Sequence, residues 1–484
     1  MKLFLIALII FIVSPAKSKN KTPDYLSGCW EKQVKPFKNI YSEMNYSECK
    51  HSFYHSFEPW QQMTTKTTGT LIMKQNYFYQ DDSLKTAKHS YTSQTQYDPK
   101  TLLYIDYGDS VLSKITLHDF TEQPIEIARY SPIFIIDMFY KNKSVLSKAS
   151  TDSFAVYELK RNLSIMKLFI RKSDSLVTKF TILEDDDLYG DVLSTYHYMD
   201  FKSIDKFHYA KSTIIEKMNG KITDTVNIRS VKTRDNSGTN LSEPMGYAME
   251  DEAPAKQDYS IEPYSNHIHF IKMKYTDDKV MIVEFKDFVL MAEAPLNSKN
   301  GELIIQEARK IAPGKPIKYF TFCHFHPHYI GGIRAFVHKN VTILSPISDT
   351  PYVRYLVLNP HTLNRDSLQI DPRALKLTKI KDSMTITDGS YEMKIYFIGK
   401  KSKHTNDYLI YYFPKEKMVF EGDLVWINTK RASKAGPRDK GLYSAIKDLK
   451  LDVNTIVQSW PVNNYDVKTV IPFSELEQYV NQKQ

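Results

Sequence analysis

The stretch Cys323-His324-Phe325-His326-Pro327-His328-Tyr329-Ile330-Gly331-Gly332 constrains this chain more than any other. Three of the 14 histidines fall in it, at i, i+2 and i+4. The run before them, Ile317-Lys318-Tyr319-Phe320-Thr321-Phe322, is β-branched and aromatic and predicts a buried strand. The run after them, residues 331–337, predicts a turn opening a short helix. Neutral imidazoles gathered at a strand end are good ligands for zinc and iron. The competing reading is a set of solvated loop histidines, and spacing alone leaves both standing.

A chain of 484 residues is too long for one small domain. Its 25% charged and 42% hydrophobic content is that of a globular protein. Abundant tyrosine (33) and sparse glycine (16) lean towards β structure. The net charge of +9 is spread over 65 basic and 56 acidic residues. No dense basic block with interleaved aromatics tracks a phosphate backbone, so no nucleic-acid partner is expected.

The first residues predict the compartment. Lys2 precedes an apolar run over 3–13, too short to span a bilayer, and Ser14-Pro15-Ala16 offers small residues for cleavage. Residues 1–18 therefore read as a secretory signal peptide, and the protein as exported, periplasmic or secreted. No later stretch has the length and apolarity of a transmembrane segment. In an oxidising compartment Cys29 and Cys49 are candidates for a disulfide closing a short loop; free thiols are the alternative. Cys323 continues an apolar strand and reads as a buried thiol rather than a soft ligand.

The chain divides into a β-rich domain over 19–235, a linker over 236–258 and a second domain over 259–484. Residues 19–68 read as loop and short helix. Beyond them come strands at 71–79, 102–107, 154–159, 166–171, 176–183, 191–201, 211–218 and 221–231. Asn219-Gly220 marks a hairpin, and the acidic run 184–187 a turn rather than a calcium site. The apolar run 132–139 reads as a helix or strand capping the sheet. This order of ladders and an apolar plug resembles the half-barrel of periplasmic lipoprotein carriers, which implies a face for an apolar ligand.

After the polar, aperiodic linker, short strands and helices alternate. Strands are expected at 267–274, 280–285, 288–292, 317–322, 341–344, 375–380, 383–387, 391–397, 408–413 and 418–420. Helices are expected at 302–311, 443–451 and 474–480. Strands flanked by helices on both sides imply an α+β fold built as an αββα sandwich.

Five separated pieces then fall into one order. They are Glu293-Ala294-Pro295-Leu296-Asn297, His324-x-His326, Gly331-Gly332, Lys403-His404-Thr405-Asn406-Asp407 and Phe420-Glu421-Gly422-Asp423-Leu424. Over about 259–480 this resembles the metallo-β-lactamase superfamily. The resemblance implies that His324, His326 and His404 are metal ligands and that Asp423 is the carboxylate which, in the family, bridges two metals. Three imidazoles leave one coordination position open, as a catalytic zinc requires.

The second metal site departs from the family pattern. His328 stands where the family has Asp, Tyr329 where it has His, and Asn463 loosely where it has the last His. Tyrosine and asparagine are poor zinc ligands, so one ion is expected. The resemblance implies a hydrolase of an ester, lactone or amide of a small or lipid-like substrate. His328 serves there as base or substitute ligand, and Tyr329 as a donor to a developing oxyanion or as a packed aromatic. Asp407 is placed to hold a neighbouring imidazole. The alternatives are a mononuclear iron dioxygenase, two histidines and Asp423 forming the triad, or a non-catalytic binding protein.

Overall fold

The computed structural model describes residues 24–53, 57–98, 100, 102–115, 123–249, 257–431, 433–463 and 465–482. The expected signal peptide lies outside them. Strand Tyr41–Phe53 shows why the N-terminal half forms one large sheet. Its residues alternate, with Ser42, Met44, Tyr46 and Glu48 turned inward. It pairs antiparallel with strands Gln62–Lys74 and Ile222–Arg234 at the middle of a 14-stranded sheet. From the sequence this segment is expected to be loop and short helix, and it is a strand. That is corrected, and the cause is its inward face, which carries a serine and a glutamate. Buried Glu48 is accommodated because it accepts hydrogen bonds from Arg129 (2.6 Å) and Tyr130 (3.0 Å). The polar strand Ser90–Tyr97 escaped the same test.

The apolar run becomes helix Ile133–Lys141, apolar on nearly every side and buried at Ile133, Phe134, Ile135, Ile136 and Phe139. With helix Tyr25–Gln33 it fills the apolar face of the sheet, in one core with Leu71, Met73, Phe78 and Ile170. All three cysteines are free thiols, so the Cys29–Cys49 disulfide does not form. Cys29 is buried in helix Tyr25–Gln33 and donates to Gln33, whereas Cys49 lies mid-strand opposite Lys66 and Thr225. The linker is no loose tether in its described part. Leu241 donates to Gln96 (2.8 Å), and Ala248–Met249 pairs in parallel with Val111 and Leu112.

The C-terminal half is a sandwich of two sheets. One has 7 strands and the other 6. Phe270 stacks on Phe420 (ring centroids 5.6 Å apart) and Thr321 meets Tyr411 (3.3 Å) across the layers. Helices Ser298–Ile311, Ile333–His338 and Thr350–Leu358 belong to the first sheet, and Pro437–Asp448 and Phe473–Asn481 to the second. This is the expected α+β, αββα architecture behind a β-rich antiparallel domain. Strands Val289–Ala292, Ile317–Thr321 and Thr342–Pro346 run parallel, so their C-terminal ends open on one edge. No helix of the described residues is long and apolar enough to cross a membrane.

The two halves are docked through the 184–191 turn. Asp191 accepts from the backbone of Thr362 (2.9 Å) and Leu363 (3.1 Å), and Asp185 from Asn364 (2.9 Å). Beside it Trp60 meets Tyr352 and Tyr355 edge-on at 5.1 and 4.8 Å, under the ammonium of Lys221 (4.1 Å). Trp60→Ala is expected to lower unfolding stability by about 2 kcal/mol, less than the roughly 3–5 kcal/mol of a fully buried aromatic, because Trp60 is half-buried. Urea denaturation measures it.

The segment after Thr350–Leu358 is tied down by Arg334. Its guanidinium grips Asp366 at 2.6 and 2.9 Å and donates to the carbonyl of Val357 (2.7 Å). Burial alone pushes the Asp366 carboxyl up, but Arg334 overrides it and holds the pKa at about 2. A depressed carboxylate stabilises the fold above its unfolded pKa and loses that contribution as pH falls. The advantage of wild type over Asp366→Asn is therefore expected in full above pH ~4 and to vanish towards pH ~2. Denaturation midpoints across that window check it.

Candidate metal centre

The site lies at the open edge of the sandwich. Strand Ile317–Thr321 ends into the histidine loop, and the 3-10 turn Gly399–Ser402 leads into His404. Strand Met418–Glu421 ends into Asp423. Nε2 of His324 lies 3.0 Å from Nδ1 of His326, and one ring nitrogen from each of His324, His326 and His404 falls within 4.8 Å of the others. All three are buried, His324 completely. Burial and the neighbouring imidazoles hold the His324 pKa far below the usual histidine value, so it is neutral at pH 7.

Asp423 completes the group. Its Oδ2 is 3.1 Å from Nε2 of His404 and 3.0 Å from Nη1 of Arg438. Burial pushes this carboxyl up, but His404 and Arg438 outweigh it and keep the pKa below the ordinary value. The His404–Asp423 approach has the distance of a hydrogen bond without its alignment, and buried Nε2 of His404 has no hydrogen-bond partner. A buried ring nitrogen left so costs about 1–3 kcal/mol unless something else engages its lone pair. In tetrahedral coordination at ~2.0–2.1 Å, neighbouring donor atoms sit roughly 3.3 Å apart. The separations of 3.0 and 3.1 Å are close to that. Clustered imidazoles, an ionised carboxylate and an unsatisfied nitrogen fit a divalent cation.

A second layer holds these side chains. The Cys323 thiol faces Nδ1 of His324 at 3.0 Å, and burial pushes its pKa far up. Cys323 is thus a support beneath the site. The Tyr408 hydroxyl accepts the amides of Gly422 (3.0 Å) and Asp423 (2.9 Å) and lies 3.2 Å from Oδ1 of Asp423. Burial lifts Glu421, 2.9 Å from the same hydroxyl, to about 8, so it is neutral at pH 7. Gly422 is needed here because a Cβ would fall 2.6 Å from both the Cys323 sulfur and the Tyr408 hydroxyl. Asp407 differs from its expected role. Its carboxylate accepts the amide of Phe325 (2.7 Å), fixing the loop between two histidines rather than orienting an imidazole.

Of the three residues His328, Tyr329 and Asn463, only Tyr329 packs directly on the cluster. His328 directs Nδ1 to the fully buried Asp278, at 3.0 and 3.1 Å. Tyr329 is buried with its ring 4.2 Å from that of His324. Asn463 lies elsewhere, donating to Asp277 (2.5 Å) and to the carbonyl of Lys274 (2.6 Å). It therefore takes no place at the centre.

Arg438 and Asp278 were missed in the sequence. Helical spacing placed the start of helix Pro437–Asp448 at 443, but Pro437 after Gly436 is a start signal that would have brought Arg438 into view. Asp278 reads as a turn residue beside Asp277. From the geometry, His324→Ala or His404→Ala is expected to cut zinc affinity by at least about a hundredfold, and Asp407→Asn by about tenfold through the loop. Equilibrium dialysis with zinc, followed by elemental analysis, measures both.

No family model matches the chain, and no curated protein matches it. Solved structures similar to it include a metallo-beta-lactamase from Pontibacter korlensis, at 16% identity and TM-score 0.35, covering 47% of this chain and 100% of that one. Another is the metallo-beta-lactamase FIM-1 from Pseudomonas aeruginosa in its mono-zinc form, at 16% identity and TM-score 0.34, covering 46% and 95%. The metallo-beta-lactamase DIM-1 has 15% identity and TM-score 0.33, covering 46% and 95%.

Proposed function

We propose that this protein is an exported metal-dependent hydrolase with one metal ion, acting on an ester, lactone or amide of a small or lipid-like substrate. The observation that carries this reading is the convergence of His324, His326 and His404, with Asp423 3.1 Å from Nε2 of His404 and that nitrogen buried without a hydrogen-bond partner. These four residues would hold the ion, and zinc fits their donor set best. When bound, such an ion polarises a carbonyl and makes water a nucleophile near neutral pH.

The chain's own groups supply the rest. Asp278 fixes the His328 ring through Nδ1, which leaves Nε2 as the atom that accepts or hands on a proton. Burial pushes the Tyr329 phenol far above its ordinary pKa, so it stays protonated and serves as a donor to the oxyanion. Asp423 contributes fixed negative charge beside the imidazoles. Residues 1–18 direct export.

The test combines metal analysis with esterase and lactonase assays on the purified chain. About one zinc per chain is expected, with hydrolysis of a p-nitrophenyl ester or a simple lactone that His324→Ala and His404→Ala abolish together with the zinc. Bound iron without hydrolysis, or hydrolysis unaffected by both substitutions, overturns the reading.

A further inference from the structure

A cavity of about 190 Å³ lies where the two halves meet. Asp185 and Asp187, in the 184–191 turn, line it from the β-rich half. Ser298, Lys299, Glu302, His361 and Arg365 line it from the sandwich. No residue of the metal centre takes part. Pockets for drug-sized ligands run from about 300 to 1,000 Å³, so this one suits a smaller molecule.

Its charges are of both signs and do not pair with each other. Asp185 accepts the side-chain amide of Asn364 (2.9 Å), Asp187 that of Asn297 (3.2 Å), and Glu302 the hydroxyl of Ser367. These donors are neutral, so no cation balances the three acids. Among the described residues neither Lys299 nor Arg365 makes an ion pair, with these acids or with any other.

Two further groups are uncommitted. Helix Ser298–Ile311 begins at the cavity, and its cap, Asn297, takes the amide of Asn300 (3.1 Å). The amides of Ser298 and Lys299 have no acceptor among the described residues, so the positive end of this helix is open to an anion. His361 is 4% exposed, yet its Nε2 has no hydrogen-bond partner. Burial holds its pKa below the ordinary histidine value. A buried ring nitrogen without a partner is costly, and a hydrogen-bonding ligand removes the cost.

A bare metal ion fits less well. Among the described residues, three such ligand atoms come within 4.8 Å of one another only at the histidine centre, so these acids and His361 are too spread to grip one ion. Acids from the β-rich half, set across one small cavity from a helix start and two basic side chains of the sandwich, suit a ligand that carries both charges.

We propose that this cavity binds a free amino acid, its ammonium on Asp185 and Asp187 and its carboxylate on the start of helix Ser298–Ile311 with Lys299 and Arg365. Occupancy needs neither the metal nor the hydrolase chemistry. Because each half holds one end of the ligand, binding clamps the halves together.

The test screens the full chain against each standard L-amino acid, with calcium alone as a control, by thermal unfolding and titration calorimetry. At least one amino acid is expected to bind and to raise the melting temperature. Its N-acetyl form lacks the ammonium and its decarboxylated amine lacks the carboxylate, and each should bind at least about tenfold more weakly. Asp187→Asn and Arg365→Met should each weaken binding of the amino acid by about tenfold. Both side chains are exposed, and Arg365 makes no hydrogen bond among the described residues, so neither variant threatens the fold. No response to any amino acid, or a response to calcium alone, overturns the proposal. So does an N-acetyl or decarboxylated form that binds as well as its parent, or unchanged affinity in either variant.

Discussion

Three buried imidazoles gathered beside one ionised carboxylate form the constraint on which the C-terminal half depends. Each ring nitrogen taken out of water needs a partner. His324 uses Nδ1 towards the Cys323 sulfur and Nε2 towards His326. Nε2 of His404 has only the misaligned oxygen of Asp423. Such an arrangement is costly in an empty protein and favourable around a cation. Function and stability meet at this point.

The sandwich makes the convergence possible. These four side chains come from three segments spread over residues 324 to 423, and the shared edge of two packed sheets brings them together. Burial then sets the protonation states. It keeps Glu421 neutral, holds His324 uncharged and leaves Asp423 as the ionised acid because His404 and Arg438 stand beside it. The β-rich half reaches the same edge. The Phe57 carbonyl accepts the amide of Asn406 at 2.6 Å, next to His404, so the two halves share the support of that loop.

Much of this was legible in the sequence, for identifiable reasons. Strong period-two and apolar runs mark most strands of the sandwich to within a few residues, as at Ser383–Thr387 and Lys376–Ile380, whereas the short strands Tyr259–Pro263, Thr455–Gln458 and Val470–Pro472 were not expected. The histidine loop and the pieces around His404 and Asp423 stood out because short motifs carry their own chemistry. What escaped was long-range. Strand Tyr41–Phe53 hid because the partner that makes Glu48 tolerable, Arg129, lies far along the chain. Asp278 and Arg438 carry no local mark of their contacts with His328 and Asp423. The absent disulfide failed for the same reason, since the fold sends Cys29 into a helix and Cys49 into a strand.

The central claim is that nitrogen and oxygen atoms, and not the nearby thiol, grip the ion. X-ray absorption at the zinc edge of the zinc-loaded protein tests it most directly. The account predicts an imidazole-rich N/O shell at ~2.0–2.1 Å with no sulfur. A shell at ~2.3 Å, marking Cys323 as a ligand, or a spectrum without imidazole scattering, would contradict it.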